Sequence, residues 1–268
     1  MSRYANYEHL LIEVKDQVGT VTLNRPQSRN AMNRKLIHEL RSIWVDLADD
    51  PEVGVVLLTG AGDYFSVGGD VKEMSVRPGG DFLLEGEIPD PAQSRRLINN
   101  LLNLDKPIVC AINGDAIGLA ATIALFCDIT VAAESARLGD PHVKVGLVAG
   151  DGGAVIWPML IGIARAREYL MRGTLINGVD AARIGLVNHV APKQEVLPQA
   201  QQIARELADG ASWAIRWTKL SINKALKERV NLILDASMAL EKACFHMEDH
   251  KEATRAFKEK RKPKFVGR

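Results

Sequence analysis

The pair of residues best suited to chemistry is His142 and Asp151, nine positions apart in the stretch PHVKVGLVAGD. A histidine near its natural pKa is the best side-chain base at neutral pH. An aspartate on its far nitrogen would fix the tautomer and support the imidazolium. A lone loop histidine often does no more than hydrogen-bond locally, so at this point both readings stand. Asp140 is a further candidate, with a turn-capping role ahead of Pro141 equally open. No CxxC or HExxH occurs among the 268 residues, which predicts no metal site.

A second kind of chemistry comes from the backbone. Residues 107–128 read PIVCAINGDAIGLAATIALFCD. Pro107 to Ile112 suits a buried strand, Asn113-Gly114-Asp115 is a turn signal, and Ala116 to Cys127 reads as a buried helix entered through Gly118. A strand, a turn and a helix start gather free N–H groups that can hold a negative oxygen. A plain core unit with no chemistry is the alternative. Upstream, VGVVLLTGAGDYFSVGGDVK runs an apolar strand, Val53 to Thr59, into a glycine-rich loop. Gly68-Gly69 in that loop lets a backbone approach a ligand.

Together these stretches, with RPQSRNAMN, GLVAGDGGA and the tail AFKEKRKPKF, resemble the enoyl-CoA hydratase/isomerase family, the crotonase superfamily. The resemblance covers nearly the whole chain in the family's order. It implies an α/β fold, a crotonase-like spiral of ββα repeats with a helical C-terminal subdomain. The division expected is 1–195 for the spiral core and 196–268 for the helical oligomerisation part. A homotrimer or dimer of trimers is implied. So is an oxyanion hole made by the N–H groups of Gly69 and Leu119.

The family's two hydratase glutamates fall on Thr122 and His142, so both are replaced. His142 with Asp151 is similar to the branch that hydrolyses carbon–carbon bonds in β-diketones, the 6-oxocamphor hydrolase type, with Glu241 matching an assisting glutamate. The resemblance places CoA contacts at Arg25, Lys72, Phe257 and Lys260. Coenzyme A is thereby expected as part of the substrate, with no separate cofactor. The favoured expectation is an enzyme that activates water with His142/Asp151 and hydrolyses a C–C bond of a β-keto substrate. The alternatives are an enoyl-CoA hydratase or isomerase with an altered acid/base set, and a non-catalytic acyl-CoA-binding protein.

The elements that must position these residues follow. Leu10 to Val14 and Val18 to Leu23 suggest a hairpin. Asn30 is the expected N-cap of a helix from Ala31 to about Ala48. Met74 to Pro91 is expected to be a flap over the site or a plain surface loop, with Leu83, Leu84 and Ile88 facing either way. Helices are predicted from Ala92 to Leu104, Gly152 to Ile161, Ala164 to Met171 and Gly178 to Ile184. Short strands are predicted at Ile129 to Ala133 and Leu186 to Val190, and residues 196–260 are almost wholly helical in pattern.

Composition narrows the classes. A hydrophobic fraction of 47% supports a sizeable core. A net charge of +1 supplies no field for nucleic acid or membrane surfaces, and the basic tail is the sole feature favouring RNA. No apolar run is long enough to span a bilayer, and the start of the chain lacks a signal-peptide core. The three cysteines, Cys110, Cys127 and Cys244, suit reduced thiols in a cytoplasmic protein.

Overall fold

The computed structural model describes residues 3–70, 73 and 91–268, with only the backbone described for 91–94. Residues 74–90 of the flap expected at 74–91, including Leu83, Leu84 and Ile88, and the expected CoA contact Lys72 lie outside the described residues.

β1 (Leu10–Lys15) and β2 (Val18–Leu23) form the predicted antiparallel hairpin. Its two loop residues, Asp16 and Gln17, both have positive φ, 48° and 64°, the twist that matches a two-residue hairpin turn. β2 then pairs in parallel with β3 (Val55–Gly60), β3 with β4 (Ile108–Ile112), β4 with β6 (Ile129–Ala133), and β6 with β9 (His189–Ala191). The six-stranded order is β1-β2-β3-β4-β6-β9. β3 and β4 are buried along their whole length, as parallel strands covered on both faces must be.

Short strands form a second layer. β5 (Ala116–Ile117) pairs with β7 (Arg137–Gly139), and β7 with β8 (Ile176–Asn177). Isolated bridges Ser66↔Ala116 and Met32↔Gly69 carry this layer towards the N-terminus. Each turn of the chain therefore runs long strand, short strand or bridge, helix: the spiral of ββα repeats. The helices closing these turns include α1 (Arg34–Ala48), α2 (Pro91–Asn103) and α3 (Leu119–Leu125), followed after β7 by α4 (Gly153–Ile161) and α5 (Ile163–Arg172). α1 buries Leu36, Leu40, Ile43, Trp44 and Leu47 in the core.

Two expectations are corrected. The cap of α1 is Asn33, whose side chain accepts from the Leu36 N–H, so the helix starts at Arg34. Asn30 is instead buried with φ of 55°. Its side chain accepts from the Arg25 N–H and donates to the carbonyls of Ala61 and Tyr64, sealing the loop under the glycine-rich turn. The helix predicted from Ala116 starts at Leu119, because Ala116 and Ile117 are drawn into the second layer by Ser66, Leu138 and Gly139.

After α6 (Gly178–Arg183) and β9 come α7 (Val196–Ala208), α8 (Ser212–Phe245) and α9 (Glu248–Lys258). α7 sets Val196, Ala200 and Ala204 into the core against β3, β4 and β6. α8 is held by polar anchors. Arg216 pairs with Asp105, and Lys219 Nζ donates to the Lys106 carbonyl and lies 2.8 Å from Asp128. Asn223 donates to the Leu102 carbonyl. Burial pushes the Asp128 carboxyl up, against the opposing pull of Lys219. Among the described residues, no helix is long and apolar enough to cross a membrane.

Candidate active site

The second layer aligns the backbone donors. The Ser66 N–H donates to the Asp115 carbonyl and the Ile117 N–H to that of Ser66, so segments 66–69 and 116–119 run side by side in parallel. Gly69 and Leu119 each stand three residues beyond the Ser66↔Ala116 bridge. The two strands come close: a Cβ on Gly68 would sit 2.5 Å from the Ile117 carbonyl oxygen. Leu119 opens α3, where a helix leaves its N–H groups without intrahelical partners. Its entry requires Gly118, whose φ of 58° and ψ of −127° suit glycine alone.

One strand further on, the Gly118 N–H donates to the Gly139 carbonyl at 2.8 Å. This sets Asp140, Pro141 and the 3-10 turn His142–Val145 beside the start of α3. The His142 ring lies over Gly118, where a Cβ would stand 3.4 Å from Cε1 and 3.7 Å from Nε2. Its Nδ1 is in close hydrogen-bonding contact with Asp140 Oδ1, which also accepts the His142 N–H at 3.3 Å. On the opposite edge, Nε2 is 3.6 Å from Asp151 Oδ2 and 3.9 Å from Glu241 Oε1.

Asp151 is presented at the head of α4. Thr122 on α3 donates its hydroxyl to Asp151 Oδ1 at 3.1 Å, and the Gly153 N–H also bonds this carboxylate. Glu241 comes from α8, whose Ser237 hydroxyl donates to the Gly150 carbonyl at 2.9 Å. Thus His142, Asp151 and Glu241 converge as one cluster, and Thr122 and Asp140 join it. The aspartate on the far nitrogen is Asp140. Asp151 lies on the Nε2 edge, which corrects the expectation that it backs the ring. The physical reason is the 3-10 turn, which folds the ring of residue 142 back over the side chain two positions earlier.

Electrostatics correct a second expectation. Burial works against a charged His142, but Asp140, Asp151 and Glu241 outweigh it and push its pKa up to about 10. The histidine is therefore an imidazolium at neutral pH, not a near-neutral base. Burial, then the charge of Asp140, raises Asp151 to about 6 against the pull of His142 and the Thr122 and Gly153 donors. Burial, then Asp151, raises Glu241 to about 8, so it stands protonated at pH 7. The site pairs a cationic ring and a neutral acid with a carboxylate that titrates near neutrality, the separation of pKa values that acid–base work requires. Asp140, His142 and Asp151 also bring three possible ligand atoms within 4.8 Å of one another, yet His142 Nδ1 is already committed to its hydrogen bond.

Three of the expected CoA contacts fall on described residues. Arg25 contacts the Ala31 carbonyl closely and pairs with Asp70 at 3.2 Å, beside the glycine-rich turn. Phe257 is exposed near the end of α9, and Lys260 follows that helix with φ of 53°.

A parallel spiral whose second layer of short strands and bridges sets the Gly69 segment beside the helix start at Leu119, with a cluster of ionisable groups next to that helix, defines a crotonase-type enzyme. The sequence model of the family described as enoyl-CoA hydratase/isomerase matches residues 13–268, and the chain belongs to that family. It is 32% identical over 262 residues to a probable enoyl-CoA hydratase of Mycobacterium bovis, covering 98% of this chain and 99% of that protein. It is 30% identical over 266 residues to a crotonyl-CoA hydratase of Syntrophomonas wolfei, with 98% and 99% covered. Among solved structures, an enoyl-CoA hydratase/isomerase from Pseudoalteromonas atlantica superposes with a TM-score of 0.88 at 29% identity, over 97% of this chain and 100% of that one.

Proposed function

We propose that this enzyme binds an acyl-CoA whose acyl part carries a β-ketone, adds water to that ketone and breaks the adjoining carbon–carbon bond. The observation that carries the reading is the His142 ring set among carboxylates, where hydratases of the family use two glutamates. Family membership supports the CoA ester, and the N–H groups of Gly69 and Leu119 are suited to its thioester oxygen. Fixed donors of this kind are worth about 3 kcal/mol each to a developing oxyanion.

In this reading the carboxylate of Asp151 takes a proton from water, and the hydroxyl adds to the ketone carbon. His142, through Nε2, stabilises the tetrahedral oxygen. Collapse of the adduct forms a carboxylic acid and breaks the bond to the α-carbon. The electron pair passes into the thioester as an enolate held by the two N–H groups, and Glu241 supplies the proton that the α-carbon takes up. The proton held by Asp151 then passes to Glu241 and restores both groups. One water is consumed, its hydroxyl ending in the acid and its other hydrogen replacing the one given to the α-carbon, and no cofactor is consumed.

For the CoA moiety, Arg25, Lys72, Phe257 and Lys260 are the proposed contacts, and no metal is assigned. A homotrimer or dimer of trimers is proposed for the assembly. Trp213, Trp217, Ile222, Leu232 and Leu240 stand exposed along α8 and suit subunit packing. A cytoplasmic location accords with this substrate class.

Hydration of an enoyl-CoA is the second reading. Asp151 and Glu241 place two carboxyl groups on one edge of His142, and the two sequence relatives above are named a probable enoyl-CoA hydratase and a crotonyl-CoA hydratase. Mass spectrometry of turnover in ¹⁸O water separates the two. Crotonyl-CoA, a cyclic β-ketoacyl-CoA and the matching free β-diketone are offered side by side. Ring opening with one heavy oxygen in the new carboxylate, lost in His142→Ala, supports hydrolysis. Fast hydration of crotonyl-CoA with no ring opening overturns it. Opening of the free diketone alone removes the CoA assignment, and binding without turnover identifies a non-catalytic acyl-CoA-binding protein.

A further inference from the structure

We propose that Asp140 is the positioning residue of the site, holding His142 by Nδ1 so that Nε2 alone serves the reacting groups. The assignment rests on the reading of His142 as part of the acid–base machinery. It adds a division of labour among three carboxylates that look equivalent by type.

Geometry separates them. Asp140 accepts from both the ring Nδ1 and the backbone N–H of His142, a two-point grip on one residue. Asp151 and Glu241, at 3.6 and 3.9 Å, lie outside hydrogen-bond distance of the ring. Burial separates them too. The Asp140 side chain is 0% exposed, against 14% for Asp151 and 13% for Glu241, so Asp140 is closed off while the other two keep an open edge.

The protein also makes room for Asp140. A Cβ on Gly153 would stand 2.2 Å from Asp140 Oδ2, so the first turn of α4 leaves space there for the carboxylate. That oxygen has no hydrogen-bond partner among the described residues. An orphaned buried acceptor costs free energy, which a purely structural aspartate would not need to bear. The other oxygen, on His142, gives the residue its use: a carboxylate on the far nitrogen fixes the rotation of the ring and supports its positive charge, so that the Nε2–H faces the reacting groups.

The test reads the ring directly in the free protein, so its outcome does not depend on which substrate is turned over. With ¹⁵N-labelled histidine, the His142 ring signals are followed against pH in the unsubstituted protein, Asp140→Asn, Asp151→Asn and Gly153→Ala. Expected are a strongly deshielded Nδ1–H proton in the unsubstituted protein and in Asp151→Asn. That signal is lost or moved upfield in Asp140→Asn and in Gly153→Ala, whose methyl displaces the carboxylate. On whichever acyl substrate is processed, Asp140→Asn is expected to lower kcat at least tenfold with KM within threefold. A deshielded Nδ1–H that survives Asp140→Asn and Gly153→Ala but disappears in Asp151→Asn overturns the assignment. So does an unsubstituted protein whose hydrogen-bonded ring proton sits on Nε2. Should Asp140→Asn not fold, Gly153→Ala and the unsubstituted protein still decide the matter.

Discussion

Glu241→Gln should make the protein more stable, and increasingly so as pH rises. Glu241 is buried against Asp151 and Asp140 with the His142 cation facing it, and its pKa moves from 4.5 to about 8. Between those values the unfolded chain has released the proton while the folded chain still holds it. The folded state therefore binds more protons, and stability falls with rising pH across that window. At about 1.4 kcal/mol per pH unit, the window bounds the loss at ~5 kcal/mol. Sharing of charge among Glu241, Asp151 and His142 reduces the part that belongs to Glu241 to roughly 2–3 kcal/mol. Glutamine keeps the shape and the neutral state at every pH. Urea unfolding of both proteins from pH 5 to pH 9 is the assay. The two should be nearly equal at pH 5, with the glutamine variant ahead by about 2–3 kcal/mol at pH 8.5. Parallel curves over that range would refute the claim that Glu241 folds as a neutral acid.

Two further substitutions probe the scaffold. Lys219→Met leaves Asp128 buried without its cation and should cost about 3–5 kcal/mol near neutral pH. The deficit should shrink as pH falls and Asp128, whose pKa burial already raises, takes up a proton, which denaturant melts at several pH values would show. Gly118→Ala forces an alanine into a φ of 58° and ψ of −127°, a strain of about 1–3 kcal/mol. It also moves the Leu119 N–H, so kcat should fall about a hundredfold; a variant with unchanged kcat and melting temperature would deny that N–H its role.

The hairpin and the parallel strands were readable because alternation and uninterrupted apolar runs report directly on which faces are buried. The start of α3 was not. Ala116 to Cys127 is apolar throughout, so nothing in its pattern marks where Ala116 and Ile117 join a strand and Leu119 begins a helix. Asn30 and Asn33 are both good caps by type. What decides between them is a set of loop carbonyls, from Ala61 and Tyr64, that only the folded chain brings to Asn30.

The acid–base cluster was legible in its members, His142, Asp151 and Glu241, but not in its wiring. Ring rotation is set by a 3-10 turn, and spacing along the chain says nothing of which nitrogen faces which acid. Asp140, two residues before the histidine and ahead of a proline, carried the one available signal for the far-nitrogen partner. Thr122 was read only as a lost glutamate. Its place on α3 makes it a donor to Asp151, so the position still serves a carboxylate, though no longer with one of its own.

The cluster is assembled from two widely separated parts of the chain. Asp140, His142 and Asp151 follow β7 closely, whereas Glu241 arrives on α8, the same helix whose Ser237 pins the Gly150 carbonyl. A growing polypeptide therefore makes its spiral well before it can complete this cluster. Until α8 emerges and docks through Arg216, Lys219 and Asn223, the nascent chain lacks the neutral acid and the clamp beside Asp151. Assembly of the cluster is thus tied to a helix made long after the spiral, and a polypeptide stalled short of it would carry Asp140, His142 and Asp151 without Glu241.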